Sequence, residues 1–382
     1  MNICFVANCF GLGGLEKVNA FVGNELNKAP ATNIFFYSIL NQKPFYELEG
    51  AVEYFPGYSL VSKVFRRFMK VEMLLKKGSY TPSIYDKELL HHLIQFTKRN
   101  EIKVVVLNNL LAGYLPYLKR KLPQVKFIAW MHGNPYQLLS PNLTSGVKNQ
   151  TLDSFKKGLH LADQIVCLVE EDKKGFAKLN PLVRALNNPL TLSVSGRCDL
   201  NATNLAFLGR MDWQEKGLDY LVEIVQKLPA PWTLSVGGAG ADEEKFLNAL
   251  KEKGIRHKVN YVGQLDDQGI KDFFEQASMY LMTSRYEGFG LVLTEAMSFG
   301  LPILAFEQTG ANAILESGKH GILIKNGDVD AMMIEINKLI SDKQLRRYYQ
   351  EKSLKRVQDF KIETIASQWM CLFEELLKEE GN

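Results

Sequence analysis

Short apolar runs alternate with amphipathic stretches along nearly the whole chain. In the first half Asn2–Asn8, Asn33–Ile39, Lys103–Leu107, Lys126–Met131 and Gln164–Val169 read as strands. In the second half Asn204–Gly209, Thr233–Gly237, Val259–Val262, Met279–Thr283, Ile303–Phe306 and Ile322–Ile324 do the same. Helical periodicity fills most of the gaps, for example over Gly217–Leu228, Asp242–Lys253, Leu291–Phe299 and Ser341–Val357. Strands separated by helices predict α/β architecture with parallel sheets. Near the end, Ile365, Trp369, Leu372, Phe373 and Leu376 recur at helical spacing, which predicts a terminal helix over Ile362–Lys378. No internal repeat or low-complexity tract interrupts the pattern.

A chain of 382 residues suits two domains, each able to bury its own core. The junction is expected at Leu186-Asn187-Asn188-Pro189-Leu190, with the polar stretch Ser193–Thr203 read as a linker. The five cysteines are scattered, with no C-x-x-C pair and no Cys/His cluster, so neither a zinc site nor a disulfide framework is expected. A reducing, cytoplasmic setting fits that pattern. The first residues read as a β-strand rather than a signal peptide. No uncharged apolar run reaches the ~20 residues that span a bilayer. Charge is divided unevenly. Residues 1–190 carry 24 Lys/Arg against 14 Asp/Glu, whereas residues 191–382 carry 22 against 28. A basic first half points to an anionic partner for that half alone, and nucleic acid is not the expected one.

The densest chemistry lies in Ser284-Arg285-Tyr286-Glu287-Gly288-Phe289-Gly290-Leu291-Val292-Leu293-Thr294-Glu295-Ala296. A buried strand precedes it and a helix begins within it. A strand, tight loop and helix place free backbone N–H groups and the positive end of a helix dipole at a sheet's carboxyl edge, where α/β proteins bind phosphates. Carboxylates beside an anion site make sense for a nucleotide sugar. They accept hydrogen bonds from hydroxyls, while amides and cations take the diphosphate.

Upstream, Asn204-Leu205-Ala206-Phe207-Leu208-Gly209-Arg210 is followed by Lys216-Gly217. Gly11-Leu12-Gly13-Gly14 follows the first strand, and Trp130-Met131-His132-Gly133 ends another. In this order, and over nearly the whole chain, these segments resemble the retaining nucleotide-sugar glycosyltransferases of family 4, which have the GT-B fold. The resemblance implies two facing Rossmann-like domains with a central cleft. Residues 1–188 would be the acceptor-binding domain, joined by a C-terminal helix, 362–382, that crosses back onto it. Residues 189–361 would bind the donor. It further implies that Arg210 and Lys216 hold the donor diphosphate, that Glu287 lies beside the transferred sugar, and that Glu295 binds the ribose. Gly13 and Gly14 would lie near the phosphates, and His132 would contact the sugar. Asn188 would end the last strand of the first domain and face the cleft. Gly288, Phe289, Gly290 and Leu291 would line the donor site.

Each motif also has a plainer reading. Acids near helix starts complement the dipole, strand-end histidines are often structural, and glycine pairs make tight turns. The combination favours the functional reading. Asp328-Val329-Asp330 resembles a metal-binding D-x-D but follows Asn326-Gly327 and precedes a helix, so helix capping is expected. No metal and no other cofactor is expected. His91 and His92 are adjacent on a helix and do not share a face. One departure stands out: where many family members read G-G-x-P-E, this chain reads Thr309-Gly310-Ala311-Asn312-Ala313, without the acid. Leu60–Lys77 joins an apolar stripe of Val61, Val64, Phe65, Phe68, Val71 and Leu75 to the cations Lys63, Arg66, Arg67, Lys70, Lys76 and Lys77, against one acid, Glu72. Such a helix suits either an anionic membrane surface or ordinary packing with a solvated basic face.

The resulting expectation is a retaining transferase that moves a hexose from a nucleotide diphosphate donor, UDP-linked by the weight of the family. The acceptor would be a hydroxyl of a glycan or lipid-linked molecule, with the enzyme cytoplasmic and peripheral on the inner face of the membrane. Two alternatives stand beside it: another GT-B chemistry such as sugar epimerisation or phosphorolysis, and a catalytically silent nucleotide-sugar-binding partner subunit. Retention of Glu287, Glu295, Arg210 and Lys216 argues against the silent partner.

Overall fold

The computed structural model describes residues 1–67, 86–139 and 149–378. The chain divides into two compact units, Met1–Pro189 with Ile362–Asn382, and Leu190–Lys361.

The first unit is built on a seven-stranded sheet. Its strands are β1 (Asn2–Ala7), β2 (Asn33–Ser38), β3 (Ala51–Tyr54), β4 (Val104–Asn108), β5 (Lys126–Trp130), β6 (Gln164–Cys167) and β7 (Val183–Ala185). The order is β3-β2-β1-β4-β5-β6-β7 and every pairing is parallel. Parallel strands covered on both faces read as continuous apolar runs, and β1 and β4 are buried almost throughout. The helix Ile362–Lys378 packs on Gly14–Asn27, sinking its predicted stripe into this unit. Trp369 meets Trp130 edge-on at 4.7 Å between ring centroids, a geometry that aromatic quadrupoles favour.

The second unit holds a six-stranded parallel sheet. Its strands are β8 (Asn204–Leu208), β9 (Thr233–Gly237), β10 (Val259–Gly263), β11 (Met279–Met282), β12 (Ile303–Phe306) and β13 (Ile322–Ile324). They run in the order β10-β9-β8-β11-β12-β13. In each unit the order reverses beside the first strand, at β1 between β2 and β4 and at β8 between β9 and β11. Ligands of open α/β sheets bind outside the carboxyl ends at such switch points. Two α/β units of Rossmann type, as expected, are therefore present.

Three expectations need correction. The edge strands β3 and β7 were not foreseen. The first unit's last strand ends at Ala185, so Asn188 lies beyond it. Ser193–Thr203 is not a free linker: Cys198 and Asp199 donate backbone N–H groups to Phe299 O at 2.9 Å and Glu275 O at 3.1 Å, fastening the stretch to the second unit. The helix expected over Ser341–Val357 is present as Lys343–Arg356, its start set by Asp342, whose side chain accepts from the Gln344 and Leu345 N–H groups.

Candidate active site

In the second unit two loops meet at the switch point. One follows β8 and carries Arg210, Glu215 and Lys216; the other follows β11 and carries Ser284 to Gly290. Their approach depends on Gly217, whose φ of 62° is left-handed. A Cβ there would sit 2.2 Å from Thr283 O, so only glycine allows the contact. Thr283 Oγ1 donates to Lys216 O at 2.8 Å, and Arg285 N–H donates to Glu215 O at 2.9 Å. Arg285 braces the same junction with a bidentate pair to Asp219, at 2.9 and 2.6 Å, and lies over the Tyr220 ring.

These braces place Lys216 Nζ 2.5 Å from Glu287 Oε1 and 3.6 Å from Glu215 Oε1. Glu215 also accepts from Arg210 Nη2 at 2.7 Å, and Ser284 Oγ donates to Glu287 Oε1 at 2.9 Å. Lys216 and Glu287 are only 12% and 13% exposed, whereas Arg210 is 61% exposed. Burial opposes the charge on Lys216, but Glu287 and Glu215 outweigh it and hold the ammonium above the ordinary lysine range. The pair is shielded enough to keep its electrostatic strength, while the Arg210 contact is the screened surface kind.

Glu295 lies on the helix Leu291–Ser298 and is buried. Burial foremost, then the charges of Glu287 and Glu295, hold the Tyr280 phenol protonated, and its hydroxyl donates to Leu208 O at 3.0 Å. Both glutamates thus act on one tyrosine at the β8/β11 edge. Gly290 takes a left-handed φ of 97° as N-cap of that helix, and its helix-start amides follow with Leu291. Gly288 is half-buried beside Glu287. The Phe289 ring is buried against Phe360 at 5.8 Å, which leaves its backbone for a ligand.

The remaining candidates belong to the first unit. Gly13 caps the helix Gly14–Asn27, of which Gly14 is the first residue. Asn188 is buried, and its Oδ1 has no hydrogen-bond partner. His132 follows β5 with its ring against Trp130 at 4.4 Å and its Nε2 2.8 Å from Asn108 Oδ1. Burial pushes its pKa down to about 3, which leaves a neutral imidazole. Asn108 and its buried partner Asn19 were not singled out from sequence, and neither was Glu215.

Residues 60–67 are helical, with Leu60, Val61 and Val64 strongly exposed. Lys63 and Arg67 lie on this helix, but Arg66 is committed to the protein: it pairs with Asp86 and stacks on Tyr58 at 3.8 Å. Phe68, Lys70, Val71, Glu72, Leu75, Lys76 and Lys77 lie outside the described residues. Asp328 caps the helix Val329–Ser341, accepting from Ala331 N–H at 2.9 Å, as expected. His92 contacts the Tyr37 hydroxyl and His91 contacts Gln95. Among the described residues no group of three or more His, Cys, Asp or Glu could hold a metal ion.

Residues 197–356 match the family model for glycosyl transferases group 1. An uncharacterized glycosyltransferase of Haemophilus influenzae is 27% identical over 372 residues, 96% of this chain and 97% of its own. A Campylobacter jejuni enzyme is 23% identical, with 98% of this chain and 99% of its own covered. Its name is GalNAc-alpha-(1->4)-GalNAc-alpha-(1->3)-diNAcBac-PP-undecaprenol alpha-1,4-N-acetyl-D-galactosaminyltransferase. These findings support a glycosyltransferase. Among solved structures, sucrose-phosphate synthase of Thermosynechococcus elongatus superposes with a TM-score of 0.80 at 18% identity, covering 99% of this chain and 100% of that one. Anabaena HepE in complex with UDP-glucose gives 0.73 at 16%, covering 98% and 100%. At these identities the likeness shows the fold, which is GT-B. Among the described residues no helix is long and apolar enough to cross a membrane.

Proposed function

We propose that this glycosyltransferase moves a hexose from a UDP-linked donor to a hydroxyl of a glycan or lipid-linked acceptor, with retention of anomeric configuration. The observation that carries the reading is the shielded Lys216–Glu287 pair at the β8/β11 switch point, with Arg210 joined to it through Glu215. In the free protein Glu287 pairs with Lys216 and Glu215 with Arg210, and diphosphate oxygens would take the place of Glu215. In the reaction the bond between the sugar's anomeric carbon and the diphosphate oxygen breaks, and its electron pair leaves with the diphosphate. The acceptor oxygen bonds to the same carbon and passes its proton to the departing diphosphate oxygen. Charge grows on the departing oxygen, so Arg210 and Lys216 stabilise the transition state more than the ground state.

Glu287 would stand beside the sugar and Glu295 would hold the ribose. The backbone at Gly288, Phe289, Gly290 and Leu291 would meet the phosphates, as would Gly13 and Gly14. Asn188, with its unpartnered oxygen, and His132 would accept ligand hydroxyls. The unit Leu190–Lys361 would bind the donor, and the other unit the acceptor. No divalent metal is required, because cations already face the diphosphate. The UDP-glucose held by Anabaena HepE and the undecaprenol-linked glycan named for the Campylobacter enzyme support the choice of donor and acceptor. A lipid-linked acceptor would place the protein peripherally on the inner face of the membrane.

A thermal-shift panel of UDP-, GDP- and ADP-hexoses tests the donor. A ligand that binds only the folded state at a hundred times its Kd adds about 2.7 kcal/mol. UDP-hexoses should raise Tm the most; a panel in which none of them does contradicts the reading.

A further inference from the structure

At the switch point of the first unit, β1, the helix Gly14–Asn27 and the carboxyl ends of β4 and β5 deliver a closed polar network. Asn19 and Asn108 are 0% and 4% exposed, so their amides must be satisfied internally. Two backbone carbonyls, which can only accept, settle which way the amides face. Leu15 O takes Asn19 Nδ2–H at 2.8 Å, and Val6 O takes Asn108 Nδ2–H at 2.9 Å. The second Asn108 Nδ2 proton goes to Asn19 Oδ1 at 2.9 Å. The atom facing His132 Nε2 at 2.8 Å is therefore Asn108 Oδ1, which has no proton to give. Nε2 must donate. The His132 backbone N–H is held in turn by Asn109 Oδ1 at 2.8 Å, and Trp130 lies against the ring. A neutral ring protonated at Nε2 has a bare lone pair on Nδ1.

We infer that Asn108, backed by Asn19, is a positioning residue that locks His132 as the Nε2–H tautomer, so that Nδ1 accepts a hydrogen bond from a hydroxyl of the bound sugar. The inference rests on the donor reading above. A locked neutral acceptor selects for a hydroxyl donor. It offers a diphosphate neither a proton nor a charge.

Long-range proton–nitrogen NMR on the histidine-labelled full chain tests the lock directly, with His132→Gln used to assign the signals. At neutral pH the expected result is a protonated-type Nε2 and a bare-type Nδ1. A bare Nε2, an imidazolium or averaging between tautomers overturns the inference. Calorimetry with UDP and UDP-glucose tests the consequence. Asn108→Ser should weaken UDP-glucose roughly tenfold, the ordinary worth of one neutral hydrogen bond, and leave UDP unchanged. Equal weakening of both ligands, or of neither, overturns the positioning role. If Asn108→Ser does not fold, the NMR measurement on the unmodified protein still decides. Should the unmodified protein bind neither ligand, the donor reading fails and the sugar is removed as the partner of Nδ1, while the NMR result still reports on the lock.

Discussion

Glu287 and Glu295 are of one residue type and share a short segment, yet they meet different surroundings. Glu287 is ion-paired to Lys216 and bonded by Ser284, whereas Glu295 is buried in a helix. Groups beside the reacting sugar act in the transition state; groups on the ribose bind ground state and transition state alike. Glu287→Gln should lower kcat with little change in KM, and Glu295→Gln should raise KM for the donor with little change in kcat. Steady-state kinetics in which the two effects are exchanged would refute the roles. The acids and cations were legible in the chain because strand, glycine and helix signals frame them. Glu215 was not, since an acid beside a lysine at a loop end reads as a solvated charge. Asn108 was not either, because its partner Asn19 is 89 positions away in sequence and the network exists only once β1 and β4 pair.

Elements were legible where their apolar runs are long. β3 and β7 escaped because they are short and only part-buried, carrying Glu53 and Arg184 within them. The loop junction under the site is visible only in the folded chain, since the left-handed Gly217 looks from sequence like any helix-start glycine. Gly254 has nearly the same φ, 67°, but open space around it, and makes a control. Gly254→Ala should cost on the order of 1 kcal/mol, the left-handed penalty alone. Gly217→Ala should cost roughly 2–3 kcal/mol more, because Thr283 O must move. Equal denaturant midpoints for the two variants would contradict the packing argument. The helix at 60–67 presents Val61 at 80% and Val64 at 69% exposure beside Lys63 and Arg67. Each cation near an anionic bilayer contributes about 1 kcal/mol, so the protein should sediment with anionic vesicles at low salt. Changing Lys63, Arg67 and Lys70 to Ser should reduce that binding. Equal sedimentation with neutral and anionic vesicles would assign the helix to ordinary packing, and the acceptor to solution.

At the scale of the molecule, the order of the motifs along the chain gave the fold, because each one marks a strand end in a doubly wound sheet. Which residues answer which strand end required the sheet orders, and these put β8 beside β11 and β1 beside β4. The positive charge that a metal would supply is already present in Arg210 and Lys216, so turnover should survive exhaustive chelation. Activity that is lost on chelation and restored by Mg²⁺ or Mn²⁺ would overturn that expectation. The central claim is that the Lys216–Glu287 junction receives a diphosphate sugar, and its most direct test is acceptor-dependent UDP release at saturating UDP-hexose. Lys216→Ala and Arg210→Ala should each lower the rate on the order of 10²-fold while circular dichroism remains that of the folded protein. Two folded variants that both turn over at the unmodified rate would contradict it.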